Sequence, residues 1–180
     1  MQPPARSALA KARRSAVHLE MRDSYTPDDP EFIAWQRGKR LVPSDQASWW
    51  GGWHDVVRGA VARGVVVRRV RIVSEPISDY VRYEYDGTFA NIAVGEAVRW
   101  LPRRRATDLA LPGTDFWLFD DALALFHHFT GDGQLDEDGR EYAGDAVRVK
   151  LCADAFAAAW RRAVPHEDYR PRVTLDPMPT

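Results

Sequence analysis

The chain has a single cysteine, Cys152, in 180 residues, which excludes an intrachain disulfide and any cysteine-rich zinc site. A lone cysteine inside a helical pattern behaves as a small buried hydrophobe. No apolar run reaches membrane-spanning length and no signal-type apolar stretch lies near the start. The cytoplasm is therefore the expected compartment, with no membrane partner. Net charge is only −1, so no global field draws the chain onto nucleic acid, and direct nucleic-acid binding is not expected.

Most catalytic signatures are missing as well. There is no phosphate-binding glycine loop, no nucleophile elbow and no pair of histidines flanking a glutamate on one helix face. Asp132, Gln134 and Asp136 start like a calcium loop, but Glu137 stands where the obligatory glycine belongs and no glutamate closes it. Neither a metal nor a cofactor is implied.

Aromatics and unevenly placed charges are what the chain does have. Seven tryptophans exceed what a core of this size needs. Arg58 to Ile72 carries five arginines and no acid, whereas Asp115 to Asp145 carries nine acids against Arg140 alone. The plain expectation is that these segments neutralise each other in the fold or face water.

The organising stretch is Arg99 to Phe129. A short apolar strand ends at Pro102, three arginines follow, and Pro112-Gly113 turns the chain into FWLF, which reads as a strand covered on both faces. Asp120-Asp121 make a tight turn and ALALFHHF returns as a second strand, stopped at Gly131-Asp132-Gly133.

Before this hairpin, a basic stretch of helical character at residues 1–15 reads as a solvated tail, and AVHLEM as a short strand. Asp28 or Asp29 caps a short helix ended by Gly38. Trp49, Trp53, Val56, Val57, Ala60 and Val61 form one helical stripe. VVVRRVRIV is the clearest strand; arginines on both of its faces place it near an edge or beside acids. ISDYVRYEY reads as a short helix or an irregular strand, and Asn91 to Gly95 as a loop. The polar, glycine-rich segment 131–144 reads as a mobile loop. A last helix from Asp145 to Ala163 buries Val147, Leu151, Cys152, Ala155, Phe156, Ala159 and Trp160, and residues 172–180 form a proline-rich tail. The expected fold is one α/β domain over residues 16–171, a mixed sheet flanked by helices.

Candidate chemistry lies mostly at strand ends, where α/β sheets build clefts: Glu75, Arg82, Glu84, Arg99, Arg103, Asp115, Asp120 and Asp121. Asp120-Asp121 suit either proton chemistry or, more simply, the turn itself. His54-Asp55 stands alone. His127 and His128 are consecutive on a strand and cannot chelate one metal together; one of them faces the interior.

HLEMRDSY, RRVRIVSEPISDYVRYEY, VRWLPRRRATDLALPGTDFWLFDD and AFAAAWRRAVPHEDYRP together resemble an actinobacterial family of unknown function. The resemblance spans Val17 to Pro171 and implies small cytoplasmic proteins, many encoded beside helix-turn-helix regulators, with no catalytic residues to carry over. A weaker fold-level resemblance is to phospholipase D-like domains. Aligning their aspartate with Asp120 puts Gly113 and Asp115 where the nucleophilic histidine and the lysine should stand, so the covalent chemistry is not implied.

The leading expectation is a non-catalytic module that modulates a helix-turn-helix regulator. Its contact surface would be Arg69, Arg71, Arg82, Arg99, Arg103, Arg104, Arg105 and Trp117, residue types that dominate interface energetics. Replacing Arg103, Arg104 and Arg105 by glutamate is expected to abolish partner binding and leave the fold intact. The rival is a small enzyme that holds an anionic metabolite with strand-end arginines, with Asp115, Asp120 or His127 moving protons. Single-stranded nucleic-acid binding is a third possibility.

Overall fold

The computed structural model describes residues 4–26 and 28–173; residues 174–180 of the expected tail lie outside them. Among the described residues, five α-helices surround one seven-stranded mixed sheet. In chain order the elements are α1 (Pro4–Lys11), β1 (Ser15–Glu20), α2 (Pro30–Gln36), α3 (Gly52–Ala62), β2 (Val66–Val73), α4 (Asp79–Ala93) and β3 (Ala97–Pro102). Then come β4 (Asp115–Phe119), β5 (Leu123–Phe129), β6 (Leu135–Ala143), α5 (Ala146–Arg162) and β7 (Val164–Pro165). The sheet order is β6-β5-β4-β1-β2-β3-β7. β1, β2 and β3 run parallel, and the hairpin β4–β5 joins β1 antiparallel.

Strand period two divides the core into two layers. Val17, Leu19, Val70, Ile72, Phe116, Leu118 and Phe126 face α5, meeting Cys152, Phe156 and Ala159. On the opposite face Ala16, Val67, Trp117, Phe119 and Leu125 pack against Leu9 of α1 and Val57 and Ala60 of α3. Leu9 is wholly buried, so the N-terminal helix belongs to the core rather than to a solvated tail.

The expected hairpin is present. Ala122 N–H donates to Phe119 C=O at 3.0 Å, and Asp120 and Asp121 adopt φ of 54° and 53°. Left-handed residues at both central positions match the twist of the flanking strands, and aspartate tolerates them.

Several elements differ from the sequence reading. ISDYVRYEY opens a fifteen-residue helix that absorbs Asn91 to Ala93, capped by Ser78 Oγ on the Val81 N–H. Its aromatic and charged residues are divided between the sheet and a second layer with α2, which weakens the simple amphipathic signal. The tryptophan stripe starts later than expected, because Trp49 and Trp50 precede α3 in a 3-10 turn region. The segment expected to be a mobile loop is the edge strand β6, paired with β5 through Ala124–Ala143 and Phe126–Glu141. A register shift occurs between His127 and Phe129, and a Cβ on Gly139 would stand 2.5 Å from His128 C=O, so glycine is required there by close backbone approach. In α5, Val147 and Leu151 are 79% and 40% exposed; the buried stripe begins at Cys152.

Candidate functional site

β2 is not an edge strand; it lies between β1 and β3, and its arginines meet acids inside the protein. On the α4 face, Arg69 donates through Nε to Glu96 at 2.7 Å and through a terminal nitrogen to Glu20 at 2.6 Å. Arg71 donates through Nε to the other oxygen of Glu20 at 2.6 Å and lies 3.3 Å from Glu84. Glu20 therefore bridges two guanidiniums. They hold its carboxyl far below the usual range against the opposing effect of burial. Glu96 is completed by Asn91 Nδ2 at 2.7 Å.

Of the arginine run, Arg58, Arg63 and Arg68 face water as expected, whereas Arg69 and Arg71 are neutralised by acids outside the 115–145 run. The acids that balance β2 come from β1, α4 and the start of β3, which the parallel topology brings alongside it. With 7% exposure each, Arg69 and Arg71 cannot contribute to a contact surface, and neither can Trp117 at 2%.

A cavity of about 250 Å³ opens at the C-terminal end of β1, lined by His18, Glu20, Tyr25, Tyr80, Glu84, Asp115 and His127, with Phe129 at its edge. Sheets of this class gather ligand sites at strand C-termini. Asp115 accepts from Met21 N–H at 2.8 Å and from the Tyr25 hydroxyl. Burial pushes its pKa up to about 6 despite these donors. Burial also raises Glu84 to about 7, because Arg71 compensates only part of the loss of water. His127 is lowered to about 4 by burial and by Arg140 on β6. His18 is held well below its usual value, chiefly by burial. It stacks on Trp117, and among the described residues neither of its ring nitrogens has a hydrogen-bond partner.

The cavity joins Asp115 and His127, as the enzyme reading required, but leaves Asp120 and the strand-end arginines elsewhere. Asp120 lies at the opposite end of β4, five residues from Asp115 and roughly 17 Å away at strand rise. It accepts from the N–H groups of Arg13, Arg14 and Ser15 and serves the turn. Among the described residues, no guanidinium lines the cavity, so the strand-end arginines expected to hold an anionic substrate are not brought to it. His128 points outward and pairs with Glu141 at 3.0 Å. Sequence reasoning missed His18, Glu20, Tyr25 and Glu96. Alternation in HLE gave the only signal, a histidine and a glutamate on one strand face.

The remaining expected contact residues separate into two groups. Arg103 is fixed to the sheet ends: it donates to Met21 C=O at 2.6 Å, Ile72 C=O at 3.1 Å and Ser74 Oγ at 3.0 Å. Arg82 pairs with Asp86 within α4 and Arg104 with Glu75, both on the surface, where Arg105 is also exposed. At the other end of the sheet, the Arg99 and Arg68 guanidiniums lie 4.2 Å and 5.3 Å from the Trp160 ring centroid. Arg99 also donates to Trp160 C=O at 3.0 Å. Two surface cavities of about 370 and 310 Å³ flank this indole, the second bordered by Arg161.

A mixed-sheet α/β domain with a paired ion core and no spanning helix among its described residues is the class defined by the fold. Residues 4–171 match the model of a domain of unknown function, DUF6879, and the chain belongs to that family. No curated protein matches it. Among solved structures it is similar to TrmBL2, an archaeal chromatin protein whose structure is described as showing a novel mode of DNA binding. The identity is 14% and the TM-score 0.46, over 88% of this chain and 48% of the archaeal one. The chain thus spans about half the length of that protein.

Proposed function

We propose that this chain is a non-catalytic regulatory module that binds an acidic face of a protein partner, a helix-turn-helix transcriptional regulator, through the Arg68–Trp160–Arg99 ridge. The observation that carries this reading is the stack itself: an indole held by two guanidiniums, flanked by two cavities. Arginine and tryptophan anchors dominate interface energies where pockets exclude water around them. The residues singled out for proton chemistry do not argue against this. Asp120 is committed to backbone donors, and the arginines nearest Asp115 and His127, Arg22 and Arg140, are not among the residues that line their cavity. The resemblance to proteins often encoded beside helix-turn-helix regulators supports that class of partner.

The test is copurification from the native host of the wild-type chain and of an Arg68→Glu, Arg161→Glu variant, both exposed positions. The expected result is a stoichiometric regulator retained by the wild type, with binding reduced at least roughly thirtyfold in the variant. A regulator held equally by both would remove the ridge from the interface. Nucleic acid in place of protein, released steeply with salt, would replace the partner class.

A further inference from the structure

The cavity at the end of β1 is made of groups short of partners. His18 is 7% exposed, and among the described residues neither of its ring nitrogens finds a hydrogen-bond partner. Nδ1 lies 3.3 Å from Glu20 Oε1 without hydrogen-bond geometry, because both Glu20 oxygens face the arginines. A buried polar group left unpaired costs about 1–3 kcal/mol. Burial keeps the imidazole neutral, so it offers one nitrogen acceptor to whatever enters the cavity.

The charges around it are also unbalanced. Glu20, Glu84, Glu96 and Asp115 bring four carboxyls to this layer, against the two guanidiniums of Arg69 and Arg71. Glu20 and Glu96 take the strong contacts. Glu84 has one contact with Arg71, and Asp115 has only neutral donors within hydrogen-bond reach. Arg22 and Arg140 act from outside the cavity walls. Burial raises the pKa of both Glu84 and Asp115, so each takes up a proton more readily than a carboxyl in water.

The walls are aromatic. Tyr25 lies 5.9 Å from Tyr80 and 5.5 Å from Phe129 between ring centroids, and the Arg22 guanidinium already sits 4.6 Å over Phe129. Carboxyls in excess of the guanidiniums, a neutral imidazole acceptor and aromatic faces favour a positive guest. Among the described residues, no three metal-ligating side chains are placed to hold a metal ion, whereas the aromatic faces suit the carbon skeleton of an organic cation. The volume of about 250 Å³ is below the usual range for drug-sized ligands.

We propose that this cavity is a binding site for a small organic cation, a protonated amine, whose N–H donors reach His18, Glu84 and Asp115 while its carbon skeleton lies against Tyr25 and Tyr80. The site is separate from the partner ridge, and either can fail without the other.

The test is titration calorimetry of the full chain with tyramine, histamine and putrescine, against N-acetyltyramine and 4-hydroxyphenylpropionate as neutral and anionic controls. At least one amine is expected to bind, with both controls at least tenfold weaker. Near about pH 6, binding should release protons, seen as a heat that changes with the buffer's ionisation enthalpy. His18→Phe keeps the stack on Trp117 and removes the unpaired nitrogens, so binding should be lost while the melting temperature holds or rises. Glu84→Gln, nearly isosteric, should weaken binding at least tenfold. Binding by none of the amines, equal binding of the controls, or full affinity in Glu84→Gln would each overturn the proposal. Unchanged affinity in a folded His18→Phe protein would do so as well.

Discussion

Ser15 and Asp120 bond each other twice over: Ser15 N–H donates to Asp120 Oδ1 and Asp120 N–H donates to Ser15 C=O, both at 2.9 Å. The pair fastens the start of β1 to the β4–β5 turn. The same carboxylate caps the N–H groups of Arg13 and Arg14, which lowers its pKa against the opposing effect of burial. Asp120→Ala should cost about 2–3 kcal/mol, from lost charge-assisted bonds and strain at positive φ. Asp120→Asn should cost less. A carboxyl with a depressed folded pKa stabilises above its unfolded pKa and loses that contribution as pH falls through the folded one. The gap between wild type and Asp120→Ala in urea denaturation should therefore narrow in acid.

Glu20 bears the heaviest electrostatic duty. Glu20→Gln leaves Arg69 without one anion and Arg71 with only Glu84, and should destabilise by about 3–5 kcal/mol, the cost of breaking a buried pair. Replacing Glu20, Arg69 and Arg71 together by apolar residues of similar volume should recover much of that loss. Chemical denaturation of the single and triple variants checks both halves.

The three consecutive arginines should behave differently from one another. Arg103→Ala removes donors to the Met21 and Ile72 carbonyls and to Ser74, at a cost of about 1–2 kcal/mol. Arg105→Ala, at an exposed position, should stay within about 0.5 kcal/mol. Equal melting temperatures for the two would remove Arg103 from its role as a tie. Changing all three to glutamate should therefore lower the melting temperature by at least the loss of the Arg103 tie, which the expectation of an untouched fold did not include.

Glu84 should make stability fall as pH rises. Its folded pKa of about 7 lies above its ordinary 4.5, so the native state holds more protons between the two values. That contribution is complete below about pH 4.5 and is lost as pH climbs through about 7. Asp115, at about 6, acts in the same direction, while His127, at about 4, opposes both over its own range. Glu84→Gln should consequently gain stability relative to wild type between about pH 5 and about pH 8, followed by thermal melts across that range. A relative loss would mean that Glu84 is ionised in the native protein.

What the sequence determined was the set of elements with strong local signals. FWLF and VVVRRVRIV are strands because their apolar residues suit burial on a sheet, and Asp120-Asp121 turn because aspartate accepts left-handed backbone. Asp29 and Asp145 cap helices through their own side chains. Polarity and glycines hid β6, whose strand state comes from pairing with β5 rather than from its residues. The tertiary structure alone decided the partners. Glu20 meets Arg69 across 49 positions, and Tyr25 meets Asp115 across 90. Such pairs exist only once β1 lies beside β2 and β4, because a charge leaves water only where folding brings its counterion. The same step turned two arginines that looked like a contact surface into the buried frame of the cavity.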